Sequence, residues 1–259
     1  MEKKDAVEKA SQTYSCLVAG ATGLIGSALV RQLLEDPSCR SIIAVTRRPL
    51  DYVGGGGSNM GNDKLRVVTA DFDLLPQALE EIEAVDVIFC ALGTTIKAAG
   101  SQEAFRKVDY DYPLALAEWA EQRDVPHYLV VTSMGSSTTS PFFYSRVKGE
   151  LQDKLRRYSF QTIHFFQPSL LLGDRPSVRV GESIGTVVSK ALTWAMVGPL
   201  RRFRPIAGEN VAHAMRAVAR GVAYAPAQAS EAGGSTPEVI IHRSDSIAEI
   251  AKRVTQTTG

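Results

Sequence analysis

Ser15-Cys16-Leu17-Val18-Ala19, followed by Gly20-Ala21-Thr22-Gly23-Leu24-Ile25-Gly26, decides how the rest of the chain is read. The first five residues are a short apolar run, the length of a strand covered on both faces. A glycine turn ends it. Beyond the turn, Leu24, Ile25, Ala28, Leu29 and Leu33 recur at helical spacing. Glycines at G-x-x-G-x-x-G have a chemical purpose at such a strand-to-helix junction. The first allows the tight turn, the middle one lets backbone approach a pyrophosphate, and the last lets the helix pack on the strand. Amides at the helix start then face the phosphates, and the helix dipole adds attraction. A lone glycine pattern is weak evidence. This one gains weight because it opens an alternating chain.

The alternation continues outward from that junction. Ile42–Val45, Leu65–Thr69, Val85–Cys90, His127–Thr132 and Thr162–Phe166 read as further strands, with a late apolar run at Val239–Ile241. Helical spacing fills the gaps at about Leu74–Ile82, Gln102–Arg123, Phe143–Tyr158, Ile184–Met196 and Val211–Arg220. A terminal helix follows, and its Ser246 and Glu249 fit a capping box. The expected fold class is α/β: a Rossmann-like doubly wound parallel sheet with a small C-terminal substrate lobe. We expect a polar arm over 1–12 and a single NAD(P)-binding domain over 13–259, its substrate-side lobe spanning about 172–210. Gly54–Gly61 (GGGGSNMG) reads as a flexible surface loop.

Composition narrows the function classes. The chain has 259 residues, 44% hydrophobic and 22% charged, which excludes collagen-like and disordered classes. Its 29 basic and 28 acidic residues leave a net charge of +1, so no global field points to nucleic acid. Cys16, Cys39 and Cys90 are too few and too unevenly spaced for a disulfide framework or a zinc site. Met1–Ser11 is charged and lacks the apolar core of a secretory signal. Ile184–Leu200 is interrupted by Lys190 and falls short of a membrane span. These features point to a cytoplasmic protein in a reducing compartment.

The end of the second strand speaks to the cofactor. An acid about 20 residues past the glycines bonds the ribose hydroxyls in proteins that prefer NAD. Here the place is taken by Thr46-Arg47-Arg48. Guanidinium groups favour phosphate through their planar fork of donors, so Arg47 and Arg48 point to the 2′-phosphate of NADP(H). Asp71-Phe72 follows the third strand and is expected near the adenine. Ala91-Leu92-Gly93-Thr94 ends the fourth and is expected beside the riboses. With Gly20, Thr22, Gly23, Leu24, Ile25 and Gly26, these residues form the candidate cofactor cleft. Cys90 reads as buried packing.

The chemistry is expected on the other side of that cleft. Ser133 ends the fifth strand, and Tyr144-Ser145-Arg146-Val147-Lys148 places a phenol and an ammonium four apart on a helix. A free tyrosine titrates near 10, and a fixed cation nearby lowers that value toward the working range. Tyr144 is then the candidate proton donor, Lys148 its tuner and a ribose contact, and Ser133 the group that holds the substrate oxygen.

GATGLIG, CALGTT, VVTSMGS and YSRVKGE, in this order, resemble the atypical short-chain dehydrogenase/reductases. FCALGTTIKAAGSQEAFRKVDYDY and FYSRVKGELQDKL are similar to the Tat-interacting protein family and its bacterial oxidoreductase relatives. The resemblance runs from about Leu17 to Arg220. It implies a Rossmann-like fold, NADP(H) binding and a serine–tyrosine–lysine site at Ser133, Tyr144 and Lys148. The asparagine often found in such sites has no counterpart; Asp109 lies in the comparable helix. Gln167-Pro168-Ser169 stands where such proteins often show Arg-Pro-Gly, so Gln167, Pro168 and Leu170 are expected to border the nicotinamide. The eukaryotic relatives are described as regulators that bind other proteins.

Two functions therefore stand side by side. One is an NADP(H)-dependent oxidoreductase moving a hydride between nicotinamide and a small carbonyl or alcohol. The other is an NADP(H)-binding regulatory or redox-sensing protein that binds a partner without turnover; a nucleotide-sugar-type epimerase or dehydratase is a further alternative. A homodimer through the helices carrying Trp119 and Phe143 stays open. His127, His164, His213 and His242 are scattered without ligand spacing, which argues against a metal. His164 reads as a core residue, and His213 as a surface one. Leu200–Pro205, with three arginines around Phe203, is the one basic cluster and is expected to help shape the substrate pocket.

Overall fold

In the computed structural model, which describes residues 13–48, 50, 63–173, 198–224 and 236–257, strand β1 (Tyr14–Ala19) is buried at every position. Successive side chains of a strand point to opposite faces. Cys16 and Val18 accordingly join one apolar core, and Leu17 and Ala19 the other. Such a strand needs a helix layer on each side, and the chain supplies both.

Nine strands are assigned among the described residues: β1, β2 (Cys39–Thr46), β3 (Leu65–Thr69), β4 (Val87–Cys90), β5 (His127–Val131), β6 (Thr162–Gln167), β7 (Leu171–Leu172), β8 (Ile206–Ala207) and β9 (Glu238–Arg243). Seven form one sheet in the order β3-β2-β1-β4-β5-β6-β9, every pairing parallel. The strand order reverses between β1 and β4, the place where open α/β sheets bind ligands. Ala19 is level with both Val45 and Cys90, so the loops leaving three strands converge on one edge. β7 and β8 pair separately.

Eight α-helices, among the described residues, flank the sheet: α1 (Leu24–Glu35), α2 (Leu75–Ala78), α3 (Ile96–Ala99), α4 (Gln102–Arg106), α5 (Tyr112–Glu121), α6 (Phe143–Leu155), α7 (Gly208–Tyr224) and α8 (Ser244–Thr257). Leu29 and Leu33 of α1, Met215 of α7 and Ile247 of α8 pack on one face. Leu75 of α2, Trp119 of α5 and Leu151 of α6 pack on the other.

Several expectations are corrected. The single helix expected over Gln102–Arg123 is instead α4, a π-helical turn at Lys107–Asp111, and α5. The wider turn rotates the helix face in mid-course, and Asp109 ends fully buried. The helix expected over Leu74–Ile82 shrinks to a 3₁₀ turn at Phe72–Leu74 and the four residues of α2. Ser246 is no cap: β9 runs to Arg243 and α8 starts at once, at Ser244. Trp119 faces the core, its Nε1 donating to the Leu79 carbonyl at 3.0 Å. The expected loop at 54–61 and helix at 184–196 lie outside the described residues, as does most of the expected lobe.

Candidate functional site: a dinucleotide cradle facing a tyrosine–lysine pair

The cradle is built by contacts that only glycine permits. Gly20 sits at φ +88°, and a Cβ there would lie 2.6 Å from the Ala91 carbonyl oxygen. A Cβ on Gly26 would lie 2.1 Å from the Gly20 carbonyl oxygen, so α1 starts flush against the end of β1. The Gly23 amide donates to the Gly20 carbonyl at 3.0 Å and closes the turn. Gly23 caps α1 without a side-chain hydrogen bond, and no acid lies in the first turn. The first amides of α1 and its positive dipole end are left for an external anion. This is what a bound pyrophosphate needs, and the residues fit it.

A cavity of about 530 Å³ opens in front of the cradle. Gly20, Thr22, Gly23, Leu24 and Ile25 line its cradle end. Ala91, Leu92, Gly93 and Thr94 line it after β4, and Phe72 after β3. Arg47 borders it at the end of β2. Gly26 packs beneath the cradle, while Arg48 and Asp71 are not among the lining residues. Buried Thr46 fixes the turn there by donating to the Arg48 carbonyl at 2.7 Å.

One acid beside this corner is already engaged. Asp73 accepts from Lys107 Nζ at 2.7 Å and from the Tyr112 phenol at 2.8 Å. Those two hydrogen bonds hold its carboxyl below the usual carboxylate range. Burial, then the Asp73 bond, pushes the Tyr112 phenol up to about 12. Lys107 and Tyr112 both line the cavity, and neither was singled out in the sequence.

At the far end α6 carries Tyr144 and Lys148 one turn apart, and both line the cavity. The Tyr144 ring packs on Phe105, with ring centroids 5.4 Å apart. Lys148 is only 2% exposed, and its Nζ lies 2.8 Å from Oδ1 of Asp109, which is 0% exposed. Asp109 Oδ2 accepts the Thr94 amide at 2.8 Å. One buried carboxylate thus ties α6 to the loop after β4. Burial pulls the lysine pKa down, but Asp109 and Tyr144 outweigh it, and the ammonium stays above the ordinary lysine value. A Cβ on Gly93 would come within 3.4 Å of Asp109 Oδ1, so glycine leaves this pair its room.

The remaining expected residues stand further off. Ser133 follows cavity-lining Thr132, but its own hydroxyl lies 3.2 Å from that of Ser136, and it is not among the lining residues. Gln167 donates to Gln152, the Pro168 carbonyl accepts the Met134 amide, and Leu170 is 64% exposed. None of these three lines the cavity, whereas Leu171 does. Arg202 and Phe203 of the basic cluster border a second cavity instead. Among the described residues no group of histidines, cysteines and acids has the arrangement of a metal site. His164 is buried against His242, Nδ1 to Nε2 2.9 Å. His213 is partly exposed and 4.0 Å from Glu209. Cys90 is buried as expected, and burial raises its thiol pKa.

Residues 20–162 match the model of a family described as NAD(P)H-binding. The chain belongs to this family. Among relatives, it is 33% identical over 177 residues to "Protein FMP52, mitochondrial" of Candida albicans, covering 67% of this chain and 75% of that one. It is 32% identical over 171 residues to "Protein HTATIP2" of the rat, covering 66% and 68%. These relatives bear out the resemblance to the atypical short-chain dehydrogenase/reductases. A short-chain dehydrogenase/reductase family oxidoreductase from Burkholderia thailandensis has the same fold at a TM-score of 0.60, 19% identity and 95% and 98% coverage. The Rossmann-like reading of the fold holds.

Proposed function

We propose that this chain is an NADP(H)-dependent oxidoreductase that moves a hydride between nicotinamide and a small carbonyl or alcohol. One observation carries the reading: a single cavity joins the glycine cradle, Arg47 and the Tyr144–Lys148 pair. Arg47 favours the 2′-phosphate, because the neighbouring acid Asp73 is taken up by Lys107 and Tyr112. A bound dinucleotide would supply the hydride chemistry. Tyr144 gives its phenolic proton to the oxygen of the reduced carbonyl. Lys148, fixed by Asp109, keeps a positive charge beside the phenol and meets the ribose. Ser133, Gln167, Pro168 and Leu170 stand off the cavity wall, and the reading assigns them to the nicotinamide and substrate end as neighbours of Thr132 and Leu171, which do line it. Three free, buried thiols suit a reducing compartment, which favours the cytoplasm.

The regulatory reading draws on a specific observation as well, the engagement of the Ser133 hydroxyl with Ser136. NADPH consumption over a panel of small aldehydes and ketones separates the two. The oxidoreductase reading expects turnover that Tyr144→Phe abolishes while NADPH affinity stays within a few-fold. Saturable NADPH binding with no consumption of any substrate would favour the binding module.

A further inference from the structure

A second cavity, of about 500 Å³, lies between α6, the loop after β5, the Gly198–Phe203 turn and the end of β9. Three arginines from three separate elements border it: Arg156 just past α6, Arg202 in the turn, and Arg243 at the end of β9. None of the three has a carboxylate partner among the described residues. Asp153 is the one acid on the wall, so the local balance is +3 against −1 in a chain whose net charge is +1. Arg156 is held in place by stacking 5.3 Å over the Phe165 ring.

The loop after β5 adds neutral donors. Thr138 brings a hydroxyl to the wall, while the Ser136 hydroxyl is spent on the Ser133 carbonyl and that of Ser137 pairs with Thr139; the amides of Gly135 and Thr138 have no hydrogen-bond partner among the described residues. The loop is seated by Gly149, where a Cβ would lie 2.3 Å from the Ser137 carbonyl carbon. Beside the cations stand two large apolar side chains left in solvent, Phe203 at 39% and Ile241 at 42% exposure, with Met134 near them.

We propose that this cavity binds a small phosphate monoester whose organic part is apolar. Forked guanidinium groups with hydroxyl and amide donors are the donor set for a phosphate dianion. The cavity has the size of a small-molecule site rather than of a lone ion, and Phe203 and Ile241 offer the apolar wall. The site is distinct from the dinucleotide cavity, but Gln152 links them: it accepts from Gln167 at 3.2 Å and donates to the Thr132 hydroxyl at 2.9 Å. The inference does not depend on the first cavity holding a dinucleotide.

Calorimetric titration of the full chain with phenyl phosphate tests it, run with and without saturating NADPH. With NADPH saturating the first cavity we expect one saturable site, at least tenfold weaker in Arg202→Ala/Arg243→Ala; without NADPH that same site persists, whatever the glycine cradle adds. Both substituted arginines are exposed, and a melting temperature close to that of the unaltered chain confirms folding of the double variant. Inorganic phosphate and benzoate should each bind at least tenfold more weakly. No saturable binding, equal binding by the double variant, loss of binding in NADPH, or benzoate or inorganic phosphate binding as tightly as phenyl phosphate would each overturn the proposal.

Discussion

Replacing Asp109 by asparagine keeps the size of the side chain and removes its charge. In the folded chain Lys148 is 2% exposed and Asp109 0%, with 2.8 Å between charged atoms. The substitution leaves a buried ammonium without its counter-charge. Breaking a buried pair from one side costs about 3–5 kcal/mol, because the orphaned charge stays desolvated. The amide oxygen of asparagine can still accept from Thr94 or face Lys148, but its NH₂ end cannot accept at all. For a chain of this size, that loss corresponds to a fall in melting temperature of about 6–20 °C. Urea unfolding of Asp109→Asn, Lys148→Met and the double variant gives the coupling directly. The double variant should be markedly more stable than Asp109→Asn alone, since it removes both charges. If Asp109→Asn costs under about 1 kcal/mol, or if the two substitutions are additive, the clamp is not what holds the two elements together.

Other outcomes follow from the same geometry. Gly26→Ala places a methyl 2.1 Å from the Gly20 carbonyl oxygen; it should abolish dinucleotide binding and lower stability by about 1–3 kcal/mol, read by calorimetry and thermal melting. Arg47→Ala with Arg48→Ala should weaken NADPH binding by about 1.5–3 kcal/mol per lost charged hydrogen bond and leave NADH almost untouched; equal weakening of both would defeat the phosphate assignment. Burial lowers His127 to about 4 and His164 to about 3. Both are neutral in the folded chain at neutral pH. Their stabilisation is complete above the unfolded value near 6.5 and is lost as pH falls toward 3–4, with a slope up to about 1.4 kcal/mol per pH unit per group. Melting curves from pH 7 to pH 4 should show that slope, and His164→Phe should flatten it. Lys148, raised instead, contributes below its unfolded value and loses that contribution only as strongly alkaline pH passes its folded value.

The central strands were legible because burial on both faces leaves an uninterrupted apolar run, as at Leu17–Ala19 and Val87–Cys90. The cradle was legible for a related reason. Gly20 and Gly26 mark places where no Cβ fits, and that need is written into the residue type itself. Helix course was harder. Apolar spacing runs on through Phe105, Leu116 and Trp119, so nothing in it announces the π turn at Lys107–Asp111. Asp109 is placed by the resemblance in the helix of the usual asparagine, but its burial is not written in the residue type: it follows from a lysine 39 residues away in the chain. Likewise, β5 stops at Val131, two residues short of Ser133, and the direction of the Ser133 hydroxyl depends on the turn to Ser136, a local geometry that residue types alone do not specify.

Calorimetric titration of the pure chain with NADPH and with NADH is the direct test of the cradle. A single saturable site, tighter for NADPH and eliminated by Gly26→Ala, is the predicted result. Heat of binding from neither dinucleotide would contradict the assignment of the cleft between β1 and β4.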